Sequence, residues 1–157
     1  MSISDMIVVM KDGYVQQIGK PQEVYDDPIN LFVAKFLGTP PINVFEGEAK
    51  GGKVYIGNEA VADCPKVEDQ KLWIGIRPEG FIPDDNGPMS CKLLRVEVMG
   101  RDVSIVSENE AASGPTIRSI VSSDIKVDPT RSEVRFSVKP HKIHIFNRKT
   151  EQRIYID

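Results

Sequence analysis

A mostly β protein is what this sequence predicts, and three features of it carry the prediction. Seventeen valines and seventeen isoleucines stand against five leucines. β-Branched side chains lose rotamer freedom in a helix and pack well on a pleated surface, whereas leucine is the common residue of helix interfaces. Beyond Pro41 apolar and polar residues alternate almost throughout, the pattern of strands with one dry and one wet face. Eleven prolines and twelve glycines cut the chain into short pieces, as a sheet with many turns requires.

The elements follow in order. Two apolar runs, 7–10 and 14–18, flank the turn signal Lys11-Asp12-Gly13, so residues 7–18 read as a β-hairpin. Pro21 suits the first turn of a short helix reaching Tyr25, because its fixed φ and missing N–H cost nothing there. Asn30 has the side chain to cap a second helix, with Leu31, Ala34, Phe36 and Leu37 on its apolar side and Gly38 to stop it. Thr39-Pro40-Pro41 is a stiff, extended linker. Helix is thus expected mainly within residues 21–37. These two pieces have no room to bury their faces within the first forty residues, so the segment reads as the end of a domain whose body lies elsewhere.

Strands are expected at 44–49, 53–56 and 59–62. Leu72, Ile74 and Ile76 then alternate with Trp73, Gly75 and Arg77. Leu94, Val96 and Val98 alternate with Leu93, Arg95 and Glu97 and are expected to share one buried face. A turn at residues 99–102, in which Gly100 supplies a positive φ, returns the chain through 103–106. Residues 116–121 form another strand. Val134, Phe136 and Val138 alternate with charged and polar neighbours, and 143–146 and 154–156 complete the set. Many short strands separated by turns predict a barrel or sandwich, with Phe45, Trp73, Phe136 and Phe146 in its core.

An apolar fraction of 40% with 27% charged residues fits a globular chain with a core rather than a disordered one. No stretch approaches the roughly 18 consecutive apolar residues of a membrane helix, and no charged-then-apolar signal segment opens the chain. Cys64 and Cys91 form no C-x-x-C pair, which favours a reducing compartment over a disulfide or zinc scaffold. Neither has a basic or histidine neighbour, so both read as inert. The net charge of −3 speaks against nucleic-acid binding through bulk charge. Residues 131–157 carry seven Lys/Arg against three Asp/Glu, a basic end that reads as a solvated face.

Motifs for catalysis are missing from the sequence: it holds no G-x-x-x-x-G-K-[ST], no G-x-G-x-x-G and no G-x-S-x-G. His141-Lys142-Ile143-His144 resembles a metal pair, but residues three apart on a strand point to opposite faces. Asp84-Asp85 and Glu108/Glu110 read as acidic turns, without the ligand ladder of a calcium loop. No catalytic, cofactor or metal residue is therefore assigned. Arg77-Pro78-Glu79 follows an alternating strand, which places Arg77 at the strand end and Glu79 in a rigid turn. An Arg and a Glu two apart can tie a loop to a neighbouring strand or to a partner subunit.

Two groups of residues carry a resemblance to a family. The first runs Ser4-Asp5-Met6-Ile7-Val8-Val9-Met10-Lys11-Asp12-Gly13, then Gln17-Ile18-Gly19-Lys20-Pro21, Glu23-Val24-Tyr25 and Pro28. It continues through Phe32-Val33-Ala34-Lys35-Phe36-Leu37-Gly38-Thr39-Pro40-Pro41-Ile42-Asn43. The second is Ile74-Gly75-Ile76-Arg77-Pro78-Glu79, followed by Val96-Glu97-Val98-Met99-Gly100 and by Pro140…His144-Ile145-Phe146. Together they resemble the C-terminal part of the ATP-binding subunits of maltose-type, carbohydrate-uptake ABC importers. The family's usual histidine after R-P-E is replaced by Gly80.

The resemblance implies residues 1–40 as the end of a nucleotide-binding domain and 41–157 as an OB-like (TOBE) β-barrel regulatory domain. It implies a regulatory and dimerisation module of a bacterial sugar importer, with Arg77, Pro78, Glu79, Met99, Gly100, Arg101 and Asp102 as candidates for the regulatory or dimer loops. The family's ATP-binding loop, signature motif and catalytic carboxylate lie upstream of Ser4. This piece is therefore expected to be non-catalytic and without cofactor, although the intact parent uses ATP and Mg²⁺. Implied partners are a second copy, the permease subunits and a regulatory protein or metabolite, but no nucleic acid. The implied location is cytoplasmic, at the inner face of the cell membrane. An alternative is a small-ligand or oxyanion-binding OB-like module of an importer for another substrate, for which Ser122, Ser123 and Lys126 are the loose candidates.

Overall fold

Asp12 and Gly13 both take positive φ (51° and 83°), which lets a two-residue turn match the twist of the strands it joins. β1 (Ile7–Lys11) and β2 (Tyr14–Gly19) accordingly form an antiparallel ribbon in the computed structural model, which describes residues 5–156. Ser4 and Asp157, at the ends of the expected string and domain, lie outside the described residues. Pro21 opens α1 (Pro21–Asp26). Asn30 caps α2 (Leu31–Phe36), its Oδ1 accepting the Val33 N–H at 2.9 Å. Helices this short owe their stability to packing rather than propensity. Val24 and Val33 pack with Val9 against the ribbon, while Leu31 and Ala34 pack with Ile42, Val44 and Phe146 of the β body.

The β body comprises β3 (Asn43–Lys50), β4 (Lys53–Ile56), β5 (Glu59–Asp63), β6 (Gln70–Ile76), β7 (Phe81–Pro83), β8 (Met89–Met99), β9 (Asp102–Glu108), β10 (Ile117–Ser122), β11 (Glu133–Val138), β12 (Ile143–Asn147) and β13 (Arg153–Ile154). They form two antiparallel sheets, ordered β13-β12-β6-β3-β4-β5 and β10-β9-β8-β11-β7. Phe45, Ile74, Ile76, Met89, Ile105 and Phe136 are among the residues of the core they share, where the Phe81 and Phe136 rings meet edge to face at 5.0 Å.

Hydrogen bonds between the sheets close this pair into a barrel-like body. The Glu46 N–H donates to Ala111 O and the Ser113 N–H to Val44 O, both at 2.8 Å. Asn43 imitates a further strand: its Oδ1 accepts the Arg118 N–H and its Nδ2 donates to Arg118 O, each at 3.0 Å. On the other side the Ser90 N–H donates to the Glu59 carboxylate at 3.1 Å. Edge groups that would otherwise pair with another chain are consumed within the fold.

The alternation of β8 differs from its expected reading. Met89, Cys91 and Leu93 face the core, whereas Leu94 and Val98 are exposed and Val96 is half-buried. The register shifts between Leu93 and Arg95, so a bulge exchanges the two faces there, and the strand then runs beyond the core it started on. β7 was not anticipated, and β13 is only two residues long, with Ile156 packing on the core outside any strand. Trp73 is half-buried beneath Arg148, whose guanidinium carbon lies 4.8 Å from the ring centroid, rather than in the main core. Phe45, Phe136 and Phe146 are fully buried as expected. No helix among the described residues is long and apolar enough to cross a membrane.

Candidate functional site

Two proline-led turns set the site. Residues Pro78–Gly80 follow β6 and Pro140–Lys142 precede β12, each as a single 3₁₀ turn. The Arg77 N–H donates to Lys142 O at 3.1 Å and the Lys139 N–H to Gly80 O at 2.8 Å, so the turns lie side by side. This fixes Arg77, Glu79 and Lys142 on the side of the barrel that meets the helices.

Arg77 is 1% exposed, one of the largest fully buried side chains of the protein. Its Nη1 donates to Ala34 O at 2.9 Å and Leu37 O at 3.1 Å, and its Nη2 to Tyr25 O at 2.8 Å. A helix leaves its last carbonyls without internal partners. One guanidinium thus caps the C-terminal ends of both α1 and α2. Its Cζ also lies 3.9 Å from the centroid of the Tyr25 ring. Burial lowers the Arg77 pKa against the raising influence of Tyr25, Glu79 and Asp26, although a guanidinium stays protonated in proteins.

Glu79 completes the clamp from the same turn. Its Oε2 accepts the Tyr25 hydroxyl at 2.7 Å and lies 3.3 Å from Lys142 Nζ, which is also 3.9 Å from Asp26. Burial raises the Tyr25 phenol well above its ordinary range, and the hydrogen bond to Glu79 adds to that. Burial works against the Glu79 carboxylate, but the bonds from Tyr25, the backbone and Lys142 outweigh it and hold the pKa low. Gly38 lies beside this cluster at φ +107°, and a Cβ built there would approach Tyr25 Cε1 to 3.2 Å.

A second tie involves the C-terminal segment. Arg153 Nη1 donates to Asp27 Oδ1 at 2.9 Å and to Pro28 O at 3.0 Å, and the Leu31 N–H donates to Glu151 O at 3.0 Å. The helices are therefore held to the barrel at both ends.

The other candidates are scattered. Met99 is 56% exposed, and Gly100 takes φ +68° with Arg101 to form a two-residue turn closed by the Met99–Asp102 pair. This tip carries Val98, 76% exposed. Ser122, Ser123 and Lys126 are exposed, and the Ser122 hydroxyl is 3.4 Å from Asp124. Cys64 and Cys91 are free and buried, and burial pushes the Cys91 thiol up to about 11. His141 lies in the 3₁₀ turn rather than on a strand, so alternation does not separate it from His144. Sequence reasoning missed Tyr25, Lys142 and Arg153, whose partners are far away along the chain. Only Tyr25 had a signal, its place in the family-like string.

No family model matches the chain. Along nearly all its length it is similar to ATP-binding proteins of ABC transporters. One, from Mycoplasma genitalium, is 36% identical over 159 residues, 99% of this chain and 26% of that protein. The sn-glycerol-3-phosphate import ATP-binding protein of a Jannaschia species is 31% identical over 98% of this chain and 43% of its own length. The oligosaccharides import ATP-binding protein of Bacillus subtilis is 33% identical over 98% and 46%. The chain thus spans between a quarter and a half of the length of these relatives. Among solved structures, a cytoplasmic molybdate-binding protein, ModG, aligns with 66% of this chain and 94% of its own at 12% identity and a TM-score of 0.44.

Proposed function

We propose that this chain is the regulatory and dimerisation part of an ABC importer's ATP-binding subunit, from the class that takes up sugars and related compounds. The observation that carries this reading is the similarity along 98–99% of the chain to an ABC transporter ATP-binding protein and to import ATP-binding proteins, of each of which it matches less than half. In this reading residues 1–40 end the nucleotide-binding domain and 41–157 form the regulatory barrel. The chain hydrolyses no ATP, since its sequence has no phosphate-binding loop and nothing in it substitutes for one. The intact subunit works at the inner face of the membrane with permease subunits.

The Arg77–Glu79 loop then serves as the joint between the two parts, because its donors and acceptors are directed within the chain. The dimer contact falls to the 99–102 tip, where Val98 and Met99 are exposed beside Arg101 and Asp102. Two-fold contact lets such a tip meet itself, and without the nucleotide-binding halves the association is weak. Sedimentation over a wide concentration range on wild type and Val98→Asp tests this. A concentration-dependent dimer that the substitution loosens is expected, and a strict monomer refutes it. An unchanged dimer in the variant removes the tip from the contact. Calorimetry with MgATP is expected to give no saturable binding, and a magnesium-dependent nucleotide site would overturn the non-catalytic reading.

A further inference from the structure

The hairpin of β8 and β9 carries six charged residues, and four of them are spent within the chain. Lys92 lies 4.0 Å from Glu108, and Arg95 Nε lies 2.7 Å from Glu97, which Arg118 of β10 also approaches to 3.5 Å. The remaining two, Arg101 and Asp102, are exposed neighbours at the tip, and neither has an ion-pair or side-chain hydrogen-bond partner among the described residues. Beside them stand Val98 and Met99, both exposed. The 122–125 turn lies against the tip, its Ser123 N–H donating to Arg101 O at 2.9 Å, and brings a third exposed apolar side chain, Ile125.

We propose that two copies meet at this tip through reciprocal ion pairs, Arg101 of each with Asp102 of the other, and that these pairs set the register of the dimer and the choice of partner. This rests on the tip being the dimer contact. A contact that takes Val98 and Met99 out of water also strips water from the two charges beside them, and a desolvated charge needs an opposite one. A two-fold axis makes residue i of one copy meet j of the other and j meet i. Pairing each residue with its own counterpart would put Arg101 against Arg101 and Asp102 against Asp102, so the crossed arrangement is the one that neutralises all four charges. Exposed ion pairs add little affinity, whereas like charges across a contact are costly, so the effect falls on specificity. The partner that fits is a second chain with the same Arg-Asp order at its tip.

Exchanging the two residues tests this, because Arg101→Asp together with Asp102→Arg leaves the net charge and the apolar patch unchanged. Sedimentation should give the exchanged chain the same self-association as wild type. Mixed with wild type, it meets like charges at both contacts. Energy transfer between donor-labelled wild-type and acceptor-labelled exchanged chains should therefore show mixed dimers at least about tenfold weaker than either homodimer. Each single reversal, Arg101→Asp or Asp102→Arg, should weaken its own dimer by a similar factor, and a one-to-one mixture of the two should recover it. Unchanged urea unfolding of the variants excludes loss of fold as the cause. Mixed dimers as strong as the homodimers, or single reversals that leave association unchanged while Val98→Asp still loosens it, would overturn the ion pairs and leave the tip contact standing. A wild-type chain that stays monomeric would remove the dimer reading itself and the pairs with it.

Discussion

Replacing Arg77 with methionine keeps the aliphatic stem and removes the guanidinium, leaving the carbonyls of Tyr25, Ala34 and Leu37 without their donor. A hydrogen bond to a charged group contributes about 1.5–3 kcal/mol, but helix-end carbonyls regain part of that from water, so about 1 kcal/mol each is a fair net loss. Stacking on Tyr25 adds about 0.5–1 kcal/mol. Relief from burying the charge offsets some of this, so the expected cost is about 3 kcal/mol, within the range for breaking a buried charged contact from one side. For a protein of this size that corresponds to a fall in Tm of about 6–12 °C. Urea unfolding gives the magnitude and hydrogen exchange its location: amides of α1 and α2 should lose protection before those of β6. Arg77→Lys should recover only part, because an ammonium has no planar face for the tyrosine ring. A methionine variant within about 0.5 kcal/mol of wild type, with α2 protection unchanged, would refute the clamp.

Three further outcomes follow from the same geometry. Gly38→Ala places a Cβ at φ +107° against the Tyr25 ring and should cost about 1–2 kcal/mol by urea unfolding, with faster exchange at the end of α2. Glu79 has a depressed folded pKa, so its contribution is full above the ordinary glutamate range and is lost as pH falls through the lower folded value; Tyr25→Phe should flatten the acid side of the stability profile, and an unchanged profile would contradict the Tyr25–Glu79 link. His144 has its pKa lowered to about 3, so the unfolded chain takes up its proton first and stability should fall as pH drops below about 6.5; ring chemical shifts showing His144 protonated at pH 6 in the folded protein would disprove its burial as a neutral group.

What the sequence determined by itself was local. The Asp12-Gly13 turn, Pro21 at a helix start, the Asn30 cap and Gly100 in its hairpin each depend on a few neighbouring residues and on backbone angles, and each stands where the sequence placed it. The Val/Ile excess and period-two alternation set the β class for the same reason, since they register which side chains suit a pleated, half-buried surface. Alternation failed at β8 because a bulge inserts one residue and reverses every side chain beyond it, and no residue type marks that position. Only the tertiary structure decided what Arg77 does. Its acceptors lie 40, 43 and 52 residues away along the chain, and they are backbone carbonyls, which carry no side-chain signature. The burial of His144 was hidden likewise, because it depends on every element packed around the ring, and that is settled only when the chain has closed.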